Sequence, residues 1–250
     1  MKEETMKRLR ALSSNKIEKK LDIKAYGETL ELSIYGDIEP DYYDWWTGET
    51  IESETSANYF KKILDEHPNV NLIRLNINSM GGYVSEGNAI YALLKRHTAQ
   101  VHVYVDGFAC SMASAIAMAG DTIKMAPNAL MMIHNPWTWA CGNSKELRKA
   151  AEDLDSMAEA FRQSYLLKAG DKLDENALIE MLDAETFLTA RECLAYGLCD
   201  EIENVDSQAL AQAKEQIQAH ENTIKELQEK LEAYEKQNTD TQPAQKSWFF

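Results

Sequence analysis

The chain has 250 residues, 44% of them hydrophobic and 27% charged, and carries a formal net charge of −15. That length allows one large core, or a core of roughly 200 residues with an appendage, and the negative charge argues against wrapping a nucleic-acid backbone as the main task. No apolar run reaches membrane-spanning length, and the four cysteines at 110, 141, 193 and 199, without CxxC spacing, point to free thiols in a reducing, cytoplasmic setting rather than to zinc.

The opening segment, MKEETMKRLRALSSNKIEKK, lacks the apolar block of a secretory signal. Residues 1–20 set seven Lys/Arg against three Glu and read as a solvated basic arm, with contact to a partner or nucleic acid as the alternative. TLELSIYGDI then alternates Leu30, Leu32 and Ile34 on one face, a half-buried strand. EPDYYDWWTGET has no periodicity and reads as an exposed loop or insertion, its aromatics either gripping a partner or forming a satellite packing cluster. SANYFKKILDEH has helical spacing, NVNLIRLNINSMGG is a strand ending at Gly81 and Gly82, SEGNAIYALLKRH is a second helix and QVHVYVDG a further strand. This alternation predicts a parallel α/β core with functional groups at the carboxyl ends of its strands.

DTIKMA and ALMMIH read as short strands separated by a turn at Pro127 and Asn128. A long helix from Asn143 to about Ala169 carries Leu147, Ala151, Leu154, Ala158, Phe161 and Tyr165 as a packing stripe and stops at Gly170. TARECLAYGLCDEI opens with a capping box, Thr189 and Glu192, and leads to a last strand, so the globular region is 21–203. Residues 204–236 differ in kind: Leu210, Ile217, Ile224 and Leu231 recur every seven residues, with Ala213, His220, Leu227 and Tyr234 three behind, a heptad helix of coiled-coil type. Residues 237–250 form a polar tail ending in SWFF.

A serine hydroxyl attacks a carbonyl only with a base to take its proton, an acid to orient the base and donors for the oxyanion. Ser111 opens the Ala-rich helix MASAIAMAG, whose free amides suit an oxyanion; the plainer reading is an N-cap or packing serine, and Ser114 competes one turn later. His134 ends a strand just before Asn135 and Pro136 and is the candidate base. Asp183 and Glu185, two apart and on one face if extended, are candidate acids. Gly81 and Gly82 form either an ordinary turn or an amide donor site.

Together, NINSMGGYVSEGNAIYALLK, VDGFACSMASAIAMAGDTIKMAPNALMMIHNP and ETFLTARECLAYGLCDEI, in that order over about residues 30 to 203, resemble the Clp protease proteolytic subunit family. The second block, with NP followed by GNSKELRKAAEDLD, most resembles the phage and prophage branch, the head-maturation proteases. The resemblance implies a ClpP/crotonase-like α/β fold of stacked βαβ units assembled into rings. It puts the nucleophile on Ser111, the base on His134 and the oxyanion donors on the backbone N–H groups of Gly82 and Met112. Where the family carries an aspartate two residues before a Phe, this chain has Glu185 before Phe187, so the acid stays open between Glu185 and Asp183.

The implied activity is a serine endopeptidase needing no cofactor, cleaving capsid or scaffold proteins in the host cytoplasm or prohead interior. No GxxxxGK loop is present, so any ATPase would be a partner. The alternatives are a general Clp-type degrading subunit working with an ATPase, a crotonase-fold acyl-coenzyme A enzyme, or an inactive assembly protein.

Overall fold

Period-two alternation of apolar residues organises a computed structural model that describes residues 20–203; the rest of the basic arm, the heptad segment and the aromatic tail lie outside the described residues. Strand β2 (Thr29–Tyr35) pairs in parallel with β5 (Leu72–Ser79), and β5 with β6 (Gln100–Cys110). Register stacks Leu30, Ile73 and Val101 in one row, Leu32, Leu75 and Val103 in the next, and Ile34, Ile77 and Val105 in a third. All nine are buried, together with Phe60, Ile63 and Leu64 of α1 (Ala57–Glu66) and Ile90 and Leu94 of α2 (Val84–Arg96). At about 1.5–3 kcal/mol for each large apolar side chain, this face is the main source of stability. Its other side is polar and half-buried, as Glu31, Arg74 and Tyr104 illustrate.

The sheet has eight strands, in the order β1 (Lys20–Tyr26), β2, β5, β6, β7 (Thr122–Met125) and β10 (Glu201–Ile202), with β8 (Leu130–Ile133) branching from β6 and carrying β9 (Thr186–Thr189). The edge strand β1 (Lys20–Tyr26) is antiparallel to β2 and was not anticipated: its charged sequence, KLDIKAY, has no strong apolar stripe, and long-range pairing selects its conformation. β7 (Thr122–Met125) and β8 (Leu130–Ile133) are the expected short strands, but they are not partners. Between Ile77 and Ser79 of β5 the facing strand β6 advances from Val105 to Ala109, so β6 bulges there. Its first part, His102 to Val105, pairs with β7; beyond the bulge, Phe108 to Cys110 pair with β8. Asn78 holds the bulge by accepting the Phe108 N–H at 3.1 Å, and a Cβ on Gly107 would come within 2.7 Å of that same Oδ1.

The segment expected as an irregular loop is instead a two-stranded hairpin, β3 (Tyr42–Asp44) with β4 (Glu49–Ile51). Asp44 caps its turn, its Oδ1 accepting the Trp46 N–H at 2.8 Å. The aromatics are not a packed cluster under the chain: Trp45 and Trp46 are 74% and 82% exposed.

After β8 the chain enters α4 (Ser144–Ala169), whose N-terminus is a capping box built from Asn143 and Glu146. Its packing stripe holds only in its second half. Ala158, Phe161, Tyr165 and Ala169 are buried, whereas Leu147 and Ala151 of the stripe are exposed. A 3₁₀ turn (Gly170–Lys172) leads to α5 (Glu175–Asp183), absent from the sequence-based expectations. β9 (Thr186–Thr189), α6 (Ala190–Ala195) with the expected capping box, and β10 (Glu201–Ile202) complete the described residues. Among them, no helix is long and apolar enough to cross a membrane.

Two backbone turns meet at the carboxyl ends of β5 and β6. Ile38 donates its N–H to Gly81 O at 2.9 Å and accepts the Tyr83 N–H at 3.0 Å, clamping the Gly81–Gly82 turn from one side. A Cβ on Gly82 would lie 1.9 Å from Ile38 O. Gly82→Ala is therefore expected to displace that clamp and lower stability by about 1–3 kcal/mol, read as a fall in Tm or denaturant midpoint. An unchanged midpoint would mean the turn adapts freely.

Candidate active site

β6 runs beyond its bulge into Cys110, and Ser111 follows as the hinge into the short helix α3 (Met112–Ala117). Ser111 donates its N–H to Met132 O at 2.8 Å, continuing the pairing with β8. It must then turn at once, because Ser114 N–H returns to Ser111 O at 3.0 Å. The result is φ 53 and ψ −126, a conformation that an L-residue adopts at a cost of about 1–3 kcal/mol. Among the described residues only two non-glycines have positive φ, Ser111 and Glu185. Both are also candidates on chemical grounds.

Ser114, the rival serine, is fully buried and engaged elsewhere. Its hydroxyl lies 2.5 Å from Ser111 O and 2.7 Å from the Tyr165 hydroxyl, so it ties the hinge to α4. Burial pushes the Tyr165 phenol far up, keeping it protonated as a structural group. Sequence reasoning placed Tyr165 only in a packing stripe; nothing local signalled its polar contact.

His134 follows β8, and β8 lies beside the carboxyl end of β6, so the histidine arrives next to the hinge. Its Nε2 is 2.8 Å from Ser111 Oγ. The ring is 4% exposed, and burial pulls its pKa below the usual histidine value, opposed by the Asn135 backbone and the negative charge of Glu185. A neutral ring accepting the serine proton at Nε2 must carry its own proton on Nδ1. That nitrogen is buried and makes no hydrogen bond among the described residues, so it is the point where an orienting acid would act.

The two candidate acids part company here. They do not share one face of an extended segment: Asp183 ends α5, and Glu185 sits in the following turn at φ 53 before β9 begins. Asp183 accepts a 2.6 Å hydrogen bond from the Asn135 side chain, whereas Glu185 is the carboxylate whose charge bears on the His134 ring. β9 pairs with β8 as Ile133 with Thr186, which carries residue 185 to the level of residue 134.

The Gly81–Gly82 turn packs directly on the hinge. A Cβ on Gly81, at φ 97, would meet Ser111 Cβ and Cys110 O at 2.7 Å, and Met112 N at 3.0 Å. Only glycine permits that approach. Gly81 N–H goes to Ser79 Oγ at 3.0 Å, while the N–H groups of Gly82 and Met112 donate no hydrogen bond among the described residues. Two spare amides thus accompany the serine, one from each turn. A cavity of about 590 Å³ runs between α4 and α5, lined by Asn135, Leu154, Glu159, Arg162, Ile179 and Asp183, and meets the candidate residues only through Asp183 and the neighbour of His134. Cys110, adjacent to the serine, is fully buried and its thiol is pushed up to about 12 by burial.

Chemically, a hydroxyl on a strained hinge bonded to a buried imidazole of lowered pKa, beside unspent backbone donors, is an arrangement for acyl transfer. A family model described as Clp protease matches residues 46–206. An ATP-dependent Clp protease proteolytic subunit of Ligilactobacillus salivarius (strain UCC118) is 37% identical over 172 residues, covering 68% of this chain and 86% of that protein. Among solved structures, a point mutant of ClpP1 from Listeria monocytogenes aligns with a TM-score of 0.56 at 23% identity, covering 71% of this chain and 92% of that one. The described fold, the meeting of the two turns and the match across most of the chain lead to one conclusion: this chain belongs to the Clp protease family.

Proposed function

We propose that the protein is a serine endopeptidase that hydrolyses peptide bonds through an acyl-enzyme, with Ser111 as nucleophile, His134 as base and Glu185 as the orienting acid. The observation that carries the reading is the 2.8 Å contact between Ser111 Oγ and Nε2 of a histidine whose pKa burial lowers. His134 takes the hydroxyl proton as Ser111 attacks the peptide carbonyl. The N–H groups of Gly82 and Met112 receive the oxyanion, the imidazolium returns its proton to the leaving amine, and water then releases the acyl group. Glu185 supports the imidazolium at the moment it forms, and Asp183 serves Asn135 instead.

The substrate is protein, and the active form is a ring of identical subunits, as in the family. The relative from Ligilactobacillus salivarius is named as an ATP-dependent proteolytic subunit, which favours general degradation alongside an ATPase over a role confined to phage capsid and scaffold proteins. Site of action follows the same reading: the cytoplasm. The two readings separate by experiment, since a degrading subunit gains activity towards folded substrates when a cognate unfoldase and ATP are added, while a prohead protease cleaves capsid precursors without them.

Labelling by a fluorophosphonate probe, with peptide mapping, is expected at Ser111 in the wild type, lost in Ser111→Ala and His134→Ala, strongly slowed in Glu185→Gln and retained in Asp183→Asn. For peptide hydrolysis, kcat should fall at least about 10⁴-fold for the first two variants and roughly 10³- to 10⁴-fold for Glu185→Gln. Retained labelling in Ser111→Ala would sink the mechanism.

Only the neutral ring can accept the proton, so activity is lost as pH falls through the pKa of His134. Burial lowers that pKa, so the acid limb of kcat/KM should lie below pH 6.5. Glu185 pushes in the opposite direction, and Glu185→Gln should move the limb to still lower pH. A limb above pH 6.5, or one that rises in the variant, would contradict this assignment. The strained hinge gives an independent check. Ser111→Gly should be inactive yet more stable than Ser111→Ala by about 1 kcal/mol, because only glycine adopts φ 53 without strain. Equal stability would mean the hinge is relaxed.

A further inference from the structure

Between Asp37 and Glu54 the chain carries seven carboxylates, Asp37, Glu39, Asp41, Asp44, Glu49, Glu52 and Glu54, and no lysine or arginine. The β3–β4 hairpin in this stretch presents Tyr42, Tyr43, Trp45 and Trp46 to solvent, the two indoles edge to face at 5.4 Å. Asp37, Glu49 and Glu54 have no ion-pair partner among the described residues. Exposed aromatic faces interleaved with carboxylates are the chemistry that receives lysine and arginine, through cation–π contact and charge pairing together. A second copy of the hairpin, a nucleic acid or an anionic membrane would each bring like charge to it and be repelled.

The same chain supplies the complement. Residues 1–19 contain Lys2, Lys7, Arg8, Arg10, Lys16 and Lys19 against three glutamates. Where that segment joins the described fold is also informative: Lys20, the first residue of β1, stands opposite Tyr35, and Tyr35 is two residues from Asp37. The described fold therefore begins, at Lys20, beside the root of the acidic stretch. Nineteen residues extend at most about 60 Å, ample for a hairpin whose strands are three residues each.

We propose that the hairpin is the docking surface for the chain's own basic N-terminal segment, residues 1–19, held by Lys and Arg side chains over Trp45 and Trp46 and against the surrounding carboxylates. The surface is built into the site's framework, because Ile38, which clamps the Gly81–Gly82 turn, lies inside the same acidic stretch.

The test uses the full chain, co-assembled from isotopically light and heavy copies and treated with a zero-length carbodiimide. The expected products join Lys2, Lys7, Lys16 or Lys19 to Glu49, Glu52 or Glu54 within copies of one isotope, and fade at high salt. In a background with Trp137, Trp139 and Trp248 changed to Phe, deletion of residues 1–19 should raise iodide quenching of Trp45 and Trp46 about twofold. A synthetic peptide of residues 1–19 should reverse the effect. Should the deletion not fold, Lys7→Glu, Arg8→Glu and Arg10→Glu in the full-length chain should reproduce the rise. Links only between light and heavy copies would assign the surface to a neighbour's segment and overturn the proposal. So would an absence of links with unchanged quenching.

Discussion

The contact between the Gly81–Gly82 turn and the hinge at Ser111 is the constraint on which the rest depends. Main chain from Gly81 lies against main chain from Cys110 to Met112 at distances that leave no room for a Cβ. That approach fixes where the spare amides of Gly82 and Met112 stand relative to the serine hydroxyl. Backbone donors held in this way need no rearrangement to meet a negative charge, which is their physical advantage over donors on a flexible side chain. The bulge in β6, the Asn78 bond that holds it and the Ile38 clamp all maintain the same approach.

The hinge at Ser111 shows how packing maintains an unfavourable local geometry. A serine at φ 53 is stabilised by its amide on Met132, by its carbonyl receiving Ser114, and by Ser114 in turn meeting Tyr165 on α4. The strain is thus borne by a buried network spanning three elements. Glu185 has the same kind of strain one strand away, so the two non-glycine residues in left-handed geometry flank His134.

Much of this was legible from residue order. The alternation of strand and helix, the glycine pair at a strand end and the helix opening after Ser111 were all readable from period and punctuation, as was the capping box at Thr189. What local pattern did not carry was pairing. β1 is charged and its conformation comes from β2; the division of β6 between β7 and β8 depends on a bulge with no sequence marker other than Gly107. The helix Glu175–Asp183 was missed, and with it the reason Asp183 and Glu185 diverge: a helix ends between them, so spacing along an extended chain was the wrong ruler. The outer half of α4 reads as a packing stripe and is exposed in the single chain, because periodicity records that a face is apolar without saying what covers it.

Cys110 has a consequence for how such a site withstands its surroundings. A thiol is intrinsically the better nucleophile and the easier target of oxidants, yet only as thiolate and only where reagents reach it. Fully buried and with its pKa pushed up to about 12, this thiol is neither ionised nor reachable at neutral pH. Burial therefore separates the two neighbours: the serine hydroxyl is engaged by the His134 ring, and the sulfur beside it stays a protonated packing atom.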